Sequence, residues 1–182
     1  MRMLAFWVLI IALGTTIQAG ERKREPLSPK KIMKVFQLDE EWKVTKAGVS
    51  REKLCAHTER FYTREFKAKK ATITLEIATP DKPGYHMLEL VIDDLAYLFS
   101  VGHWNNSATL VTGVHRRIRL RVPDKEYHKI EMEYTDGIIT CRYDGKDVIK
   151  INAPRAANKI KIGFGSHLRR IEIRKVYIRL VR

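Results

Sequence analysis

The chain has 182 residues, enough for one domain with a hydrophobic core and too few for two domains of comfortable size. Its ten glycines and six prolines are ordinary for a globular protein and exclude a low-complexity chain. With 35 lysines and arginines against 21 acidic residues, the formal net charge is +14. This charge suits a polyanionic partner, and it equally suits a soluble, basic exterior.

The first residues have the pattern of a secretory signal peptide. Arg2 supplies the positive start, Leu4 to Leu13 form an apolar core, and Ala19 ends a tolerable cleavage site. The alternative is an uncleaved anchor, but the apolar run is shorter than the roughly 20 residues that span a bilayer. We therefore predict a signal peptide over residues 1–19, secretion to the exterior or the periplasm, and no stable membrane span after cleavage.

Residues 20–31 are charged and proline-bearing and lack apolar periodicity, so they are predicted to form a flexible basic lead-in. Residues 32–182 are predicted to form a single domain. At the junction, the stretch PKKIMKVFQLDEEW has apolar residues at helical spacing. It fits either a short helix or a first strand.

After about Trp42 the sequence alternates between apolar and polar residues with the period of β-strands. The residues that share the apolar faces of five such segments are Ile73, Leu75, Ile77, Leu88, Leu90, Ile92, Leu95, Tyr97, Phe99, Val101, Ile118, Leu120, Val122, Ile160, Ile162 and Phe164. The final stretch, LRRIEIRKVYIRLVR, changes phase near Arg174 and Lys175. That change predicts a bulge or a short turn within the last strand.

The stretch EYHKIEMEYTDGIITCRYDGKDVIKI contains two Asp-Gly pairs, Asp136-Gly137 and Asp144-Gly145, between alternating segments. Asp-Gly in this setting is a strong hairpin signal, because glycine tolerates the positive φ of primed turns. The stretch therefore predicts a three-stranded antiparallel meander. Ten or more short strands of this kind predict an all-β antiparallel fold, and their one-sided alternation favours a two-sheet β-sandwich.

The order of these segments resembles the concanavalin A-like (laminin-G-like) jelly roll. The resemblance lies in the strand YHKIEMEY, the DG…DGK hairpin, the strand IKIGFG and the closing strand IEIRKVYI. The earlier KLCAHTERFYTREFKAKKATITLEI resembles the opening hairpin and first long core strand of that fold. The resemblance covers about residues 42–182. It implies either a lectin or carbohydrate-binding module, or a glycoside-cleaving enzyme such as a glucanase or a secreted 3-keto-disaccharide hydrolase-like domain.

Catalytic residues do not follow from the resemblance. Retaining glucanases of this fold carry a spacing like E-x-D-x-E, which places two carboxylates about 5 Å apart on one strand face. The nearest candidates are Glu131 with Glu133, followed in register by Thr135, and Glu89, followed in register by Asp93. Neither matches, and solvated acids on a basic surface are the alternative. Whether the protein is an enzyme stays open, and a noncatalytic role is favoured.

Two cysteines in a secreted chain suggest a disulfide between Cys55 and Cys141. The register argues partly against it, because Cys141 shares the apolar face of its strand and Cys55 alternates out of phase with its apolar neighbours. Two separate thiols are the alternative. The six histidines are scattered singly, so no transition-metal site is predicted. No cofactor is expected, with calcium left open near Asp93-Asp94 or Asp144.

Three arginines of the segment HRRIRLRVP, Arg117, Arg119 and Arg121, alternate with apolar residues and are predicted to point outward together. Such a ladder, spaced about 7 Å apart, suits an anionic polysaccharide backbone. The alternative is a basic exterior that only blunts sheet edges.

The loop SVGHWNNSATLVTG contains the best candidates for contact with a neutral sugar. Trp104 is placed to stack on a pyranose ring while His103 and Asn105 bond its hydroxyl groups. The alternative is that Trp104 caps the core at one end of a sheet. We therefore predict a secreted, noncatalytic module that recognises carbohydrate or anionic polysaccharide, and the compartment argues against nucleic acid. A glycoside-cleaving enzyme of the same fold and an envelope-associated structural protein remain the alternatives.

Overall fold

The computed structural model describes residues 25–53, 58–80, 86–102, 108–112, 116–118, 126–167 and 170–182. Within these residues the chain forms one short helix and thirteen strands: α1 (Pro29–Val35), β1 (Trp42–Val44), β2 (Gly48–Arg51), β3 (Thr58–Tyr62), β4 (Lys70–Ala78), β5 (His86–Ile92), β6 (Leu95–Gly102), β7 (Ala108–Thr112), β8 (Arg116–Ile118), β9 (His128–Thr135), β10 (Ile138–Tyr143), β11 (Lys146–Asn152), β12 (Ile160–His167) and β13 (Ile171–Val181). No helix in these ranges is long and apolar enough to cross a membrane.

The strands form two antiparallel sheets. The seven-stranded sheet has the order β1-β2-β13-β4-β9-β10-β11, and the six-stranded sheet has the order β3-β12-β5-β6-β7-β8. Apolar side chains from both sheets join in one buried cluster, as expected when two sheets pack face to face. The predicted all-β, two-sheet antiparallel sandwich is therefore confirmed.

The core follows the alternation of the sequence. The predicted residues that the structure buries are Ile73, Leu75, Ile77, Leu88, Leu90, Ile92, Tyr97, Phe99, Val101, Ile160, Ile162 and Phe164. Leu95 is different: it is 54% exposed, because it is the first residue after the turn between β5 and β6. The side chain of Ile118 and the residues Leu120 and Val122 lie outside the described part of the chain.

The predicted meander is confirmed as β9, β10 and β11. Both connections are two-residue turns, with φ of 51° and 80° at Asp136 and Gly137, and of 47° and 80° at Asp144 and Gly145. Two successive positive φ values define the type I′ turn, whose twist matches that of the strands it joins. The Asp-Gly pairs therefore set the register of this half of the seven-stranded sheet.

The phase change predicted in the last strand is also confirmed. The pairing of β13 with β4 shifts register between Arg174 and Tyr177, and Lys175 has a φ of 50°. This bulge returns Val176 to the core after Ile173, so both residues are buried despite their odd spacing.

The stretch at residues 29–42 contains a helix and then a strand. Proline is favoured at the first helical position, and Pro29 occupies it in α1. Ile32 and Phe36 are buried, and the Phe36 ring lies 4.7 Å from the ring of Phe164. The backbone N–H of Leu27 donates to the carbonyl of Val176 at 2.8 Å. The folded structure therefore includes residues 27–31, which the sequence assigned to a flexible lead-in.

The two Asp-Gly turns provide a matched test of the architecture. We expect Gly145→Ala to lower the free energy of unfolding by about 1–2 kcal/mol, since a Cβ there would strain the backbone but would meet no atom of the described residues within 4 Å. Gly137→Ala should cost about 1–3 kcal/mol more, because its Cβ would lie 2.9 Å from Cγ of Arg155. Urea unfolding of both variants measures the difference in the free energy of unfolding. Equal losses of stability in the two variants would contradict the packing described at Gly137.

Candidate functional site

The site lies on the outer face of the six-stranded sheet, the face that points away from the sandwich core. The sequence predicted that β5 would bury one face only, but the structure buries both. Leu88 and Leu90 face the core, and on the opposite face Met87 and Glu89 are each 1% exposed. A carboxylate in such a position must be paired or hydrogen-bonded, so its partners define the site.

Two glycines of β12 shape this face. Gly163 pairs with Tyr62 of β3 on one side and with Glu89 of β5 on the other. A Cβ on Gly163 would lie only 2.6 Å from Cδ1 of Tyr62, so the tyrosine ring occupies the space that a side chain would need. Glycine at this position therefore lets Tyr62 reach across a whole strand towards Glu89.

The groups that meet at Glu89 are a phenol and a guanidinium. The Tyr62 hydroxyl donates a hydrogen bond to the Glu89 carboxylate, and Nη1 of Arg60 donates to its two oxygens at 3.1 and 3.3 Å. Burial, followed by this hydrogen bond to Glu89, raises the pKa of Tyr62, so the phenol stays protonated and remains a donor. Nζ of Lys161 lies 5.8 Å from the centre of the Tyr62 ring. We call Arg60, Tyr62, Glu89 and Lys161 the outer-face cluster.

The exposure of these groups is graded. The Arg60 side chain is 36% exposed and the Glu89 side chain only 2%, while Tyr62 and Lys161 are half-buried. The carboxylate is thus the buried anchor, and the aromatic ring and two cations are presented to solvent around it. An aromatic ring flanked by positive charges can contact the apolar face of a sugar and its acidic substituents at the same time.

Glu131 and Glu133, the acids closest to a glucanase pattern in the sequence, lie on the other sheet. Nη1 of Arg142 donates to both of them, at 2.8 Å for Glu133, and its Nε donates to Asp147 at 2.7 Å. The Thr74 hydroxyl donates to Glu131 at 2.6 Å. Both acids therefore belong to an ion-pair network on the outer face of the seven-stranded sheet. This agrees with the alternative to a catalytic pair, namely acids that balance a basic surface.

Two of the acids considered for calcium, Asp93 and Asp144, accept hydrogen bonds from backbone N–H groups of other segments. Oδ1 of Asp93 accepts the backbone N–H groups of Asn158 and Lys159 at 3.0 and 2.9 Å. Oδ1 of Asp144 accepts the N–H of Lys129 at 2.8 Å, and its Oδ2 lies 2.9 Å from Nδ1 of His128. In the described ranges no three His, Cys, Asp or Glu side chains come together as metal ligands.

Most of the ligand-binding residues predicted from the sequence lie outside the described residues. These are His103, Trp104, Asn105, Arg119 and Arg121. Arg117 belongs to β8, at the edge of the six-stranded sheet, where it pairs with Leu110; its side chain is outside the described part. The predicted sugar loop and arginine ladder therefore stay predictions.

Of the two cysteines, Cys141 is fully buried on the inner face of β10, as its register predicted. Burial raises the pKa of this thiol to about 12, so it is inert at neutral pH. Cys55 lies outside the described residues, and its pairing with Cys141 stays a prediction.

The sequence interpretation missed the outer-face cluster. Its signal was the pair of glycines in IGFG, since Gly163 and Gly165 alternate on the face opposite the apolar Ile162 and Phe164. Alternating glycines in a strand indicate that another group approaches closely on that face. Nothing local, however, identifies Tyr62 and Glu89 as the groups that meet there.

No protein-family model and no curated protein matches this chain. Solved structures do match it. A carbohydrate-binding module of family 66 from Bacillus subtilis superposes with a TM-score of 0.59 at 13% identity, over 75% of this chain and 89% of that one. An alginate lyase of polysaccharide lyase family 7 gives 0.57 at 12% identity, over 78% and 82%. The Bacteroides ovatus mixed linkage glucan GH16 protein gives 0.56 at 12% identity, over 85% and 93%.

At these identities the likeness concerns the fold alone. The three structures share a sandwich of two antiparallel sheets with this chain across most of their lengths. The fold is the concanavalin A-like jelly roll that the order of strands and turns in the sequence predicted.

Proposed function

We propose that this protein recognises an acidic polysaccharide on the outer face of the six-stranded sheet and does not cleave it. The observation that carries the proposal is the outer-face cluster, in which Glu89 holds Tyr62 and Arg60 across β12 while Lys161 stands beside the ring. The half-buried ring suits the apolar face of a pyranose. Lys161, which forms no ion pair with a described residue, suits the carboxylate or sulfate groups of the polymer, whereas the charge of Arg60 is balanced by Glu89.

A binding role is favoured over hydrolysis by the number of carboxylates on this face. Glycoside hydrolysis ordinarily uses two carboxylates that flank the scissile bond. Among the described residues on this face, Glu89 has no second carboxylate beside it, and its oxygens accept from Arg60 and Tyr62. The other acid pair, Glu131 and Glu133, lies on the seven-stranded sheet, where both acids form ion pairs with Arg142.

The solved structures of this fold support a carbohydrate partner for the proposal. One of them is named as a carbohydrate-binding module and another as an alginate lyase, so the fold accommodates both binding and cleavage. A net charge of +14 favours the acidic end of the range of polysaccharides. The predicted signal peptide at residues 1–19 would deliver the protein to the compartment in which such polymers occur.

The residues predicted from the sequence extend this proposal. Arg117 lies in β8, which belongs to the same sheet as Glu89. The arginine ladder of Arg117, Arg119 and Arg121 is proposed to continue the basic surface. His103, Trp104 and Asn105, which connect β6 and β7 in the chain, are proposed to add sugar contacts at that end.

Replacing Tyr62 tests the site directly. We expect Tyr62→Ala to weaken the binding of a polyuronate such as alginate by about 1–3 kcal/mol, or about 5-fold to 150-fold, since an aromatic anchor is lost. The matched control is Tyr177→Ala, because Tyr177 is also half-buried but lies in β13 of the other sheet. Affinity electrophoresis or calorimetry at low salt measures the effect.

The outcomes separate the candidate functions. Equal loss from both tyrosine variants, or no loss from Tyr62→Ala, would remove the outer-face cluster as the binding site. Release of shortened or unsaturated oligosaccharides by the wild-type protein would favour the second candidate, a glycan-cleaving enzyme of the same fold. The observation behind that candidate is the buried Glu89 with a phenol donating to it, a pairing that could also transfer a proton.

A further inference from the structure

A concave surface lies next to the outer-face cluster. The connection from β3 to β4 and the end of β13 enclose a depression of about 430 Å³, lined by Arg64, Glu65, Phe66, Lys67, Leu180 and Arg182. Its volume falls in the range of roughly 300–1,000 Å³ that is typical of ligand sites. Its walls are fixed by two backbone hydrogen bonds. The N–H of Phe66 donates to the carbonyl of Ile160, and the N–H of Ile160 donates to the carbonyl of Phe66, both at 2.8 Å.

The depression is positively charged. The side chains of Arg64, Lys67 and Arg182 are exposed, and none of them forms an ion pair with a described residue. The acid in the wall, Glu65, is 3.8 Å from Nζ of Lys159. By contrast, two arginines on the outer face of the seven-stranded sheet, Arg142 and Arg174, are paired with carboxylates. Unpaired cations in a concavity concentrate positive potential there.

The depression and the outer-face cluster lie along the same edge of the six-stranded sheet. β12 runs beside residues 62–66: Gly163 pairs with Tyr62, the carbonyl of Ile162 accepts from Thr63, and Ile160 bonds to Phe66. From Gly163 to Ile160 the strand advances roughly 10 Å. Lys161, a member of the outer-face cluster, lies between these two positions in the strand, so the cluster extends towards the depression.

We propose that the depression is a second subsite for the same acidic polysaccharide, so that the protein binds an extended stretch of polymer rather than a single terminal sugar. This inference rests on the proposed function of the outer-face cluster. Arg64, Lys67 and Arg182 would bind carboxylate or sulfate groups. Phe66 and Leu180, which also line the depression, provide apolar surface for sugar rings between those groups.

The test compares short and long oligomers of one uronate. Affinities for a trimer and an octamer are measured at low salt with wild-type protein and with the triple variant Arg64→Gln/Lys67→Gln/Arg182→Gln. The control triple variant is Lys146→Gln/Arg155→Gln/Arg170→Gln, which removes the same charge from exposed positions elsewhere. We expect the depression variant to lose about tenfold or more in affinity for the octamer and to bind the trimer within about twofold of wild type.

Each other outcome overturns the inference in a distinguishable way. Octamer affinity that is unchanged in the depression variant, or lowered equally by the control, overturns the second subsite while the outer-face cluster stands. Equal affinity of the wild-type protein for the trimer and the octamer would also overturn the second subsite and leave the outer-face cluster standing. Wild-type protein that binds neither oligomer overturns the proposed function and this inference together. Unfolding curves of both triple variants establish that losses are not due to misfolding.

Discussion

Lowering the pH from 6.5 towards 3 is expected to destabilise the fold through His86. This side chain is fully buried at the start of β5, and neither of its ring nitrogens has a hydrogen-bond partner among the described residues. Burial, with a smaller repulsive contribution from His128, lowers the pKa of His86 from 6.5 to about 3. The His128 ring lies 6.0 Å away between ring centres, with Asp144 on its Nδ1 and the ring of Tyr143 stacked on it.

The direction of the effect follows from proton linkage. Because the folded pKa is below the unfolded one, the unfolded chain binds a proton between pH 6.5 and about 3 that the folded chain excludes. The contribution of His86 is therefore fully present above pH 6.5 and is lost as the pH falls. The free energy of unfolding should decrease by up to about 1.4 kcal/mol per pH unit through this residue.

The variant His86→Leu isolates this contribution. We expect the free energy of unfolding, measured with urea, to fall between pH 7.5 and 4.5 by about 2–3 kcal/mol more in wild type than in the variant. Carboxylates also weaken the fold in acid, but the pKa values of Glu41 and Asp147 are lowered by hydrogen bonds from lysine and arginine. The stability that these two carboxylates contribute is therefore lost only as the pH falls below their ordinary pKa values of 4.5 and 3.8. Wild type and His86→Leu share this loss.

Met87→Leu serves as the matched control, because it changes the adjacent buried residue and keeps His86. It should retain the wild-type dependence on pH. Parallel pH profiles for wild type and His86→Leu would show that His86 is protonated in the folded state, which its burial between the two sheets argues against. At neutral pH the leucine variant should be at least as stable as wild type, since it removes from the core two polar atoms that have no hydrogen-bond partner among the described residues.

The parts of the fold that local chemistry determines could be predicted from the sequence. The type I′ turns at Asp136-Gly137 and Asp144-Gly145 depend on residues that tolerate positive φ, and these stand in the sequence itself. The bulge near Lys175 follows from a phase change that is visible in one strand. The helix α1 was ambiguous, because a run of four apolar residues over two turns does not decide between helix and strand.

The outer-face cluster could not be predicted, because its members come from three strands that are distant in sequence. Tyr62, Glu89 and Gly163 become neighbours only when β12 pairs with both β3 and β5. A period-two pattern assigns Glu89 to the face opposite Leu88, but it does not say whether that face is covered. The contact of Tyr62 with Glu89 requires Tyr62 to lie over a glycine, which is a property of the sheet and not of any single strand.

The largest change in the site is expected from Glu89→Ala. The alanine variant leaves the Tyr62 hydroxyl and the Arg60 guanidinium without their common acceptor, and it should lower the free energy of unfolding by about 2–3 kcal/mol. The loss stays below the value for a fully buried ion pair, because Arg60 is 36% exposed and can be rehydrated. Affinity for polyuronate should fall as well, since Tyr62 loses the group that positions it. Equilibrium unfolding and calorimetry measure the two effects.

Glu89→Gln then separates binding from catalysis, because it keeps the shape and an accepting oxygen but cannot transfer a proton. If the protein only binds its polysaccharide, the amide still accepts from Tyr62, and affinity should stay within about tenfold of wild type. If Glu89 acts as a general acid or base, the same variant should lose about 10²–10⁴-fold in cleavage rate while binding persists. For a binding module we expect three results. Wild-type protein releases no product from polyuronate or mixed-linkage glucan, the Glu89→Gln variant still binds, and the Glu89→Ala variant does not. A cleavage rate that disappears in Glu89→Gln with unchanged affinity would instead identify Glu89 as a catalytic residue and overturn the noncatalytic role.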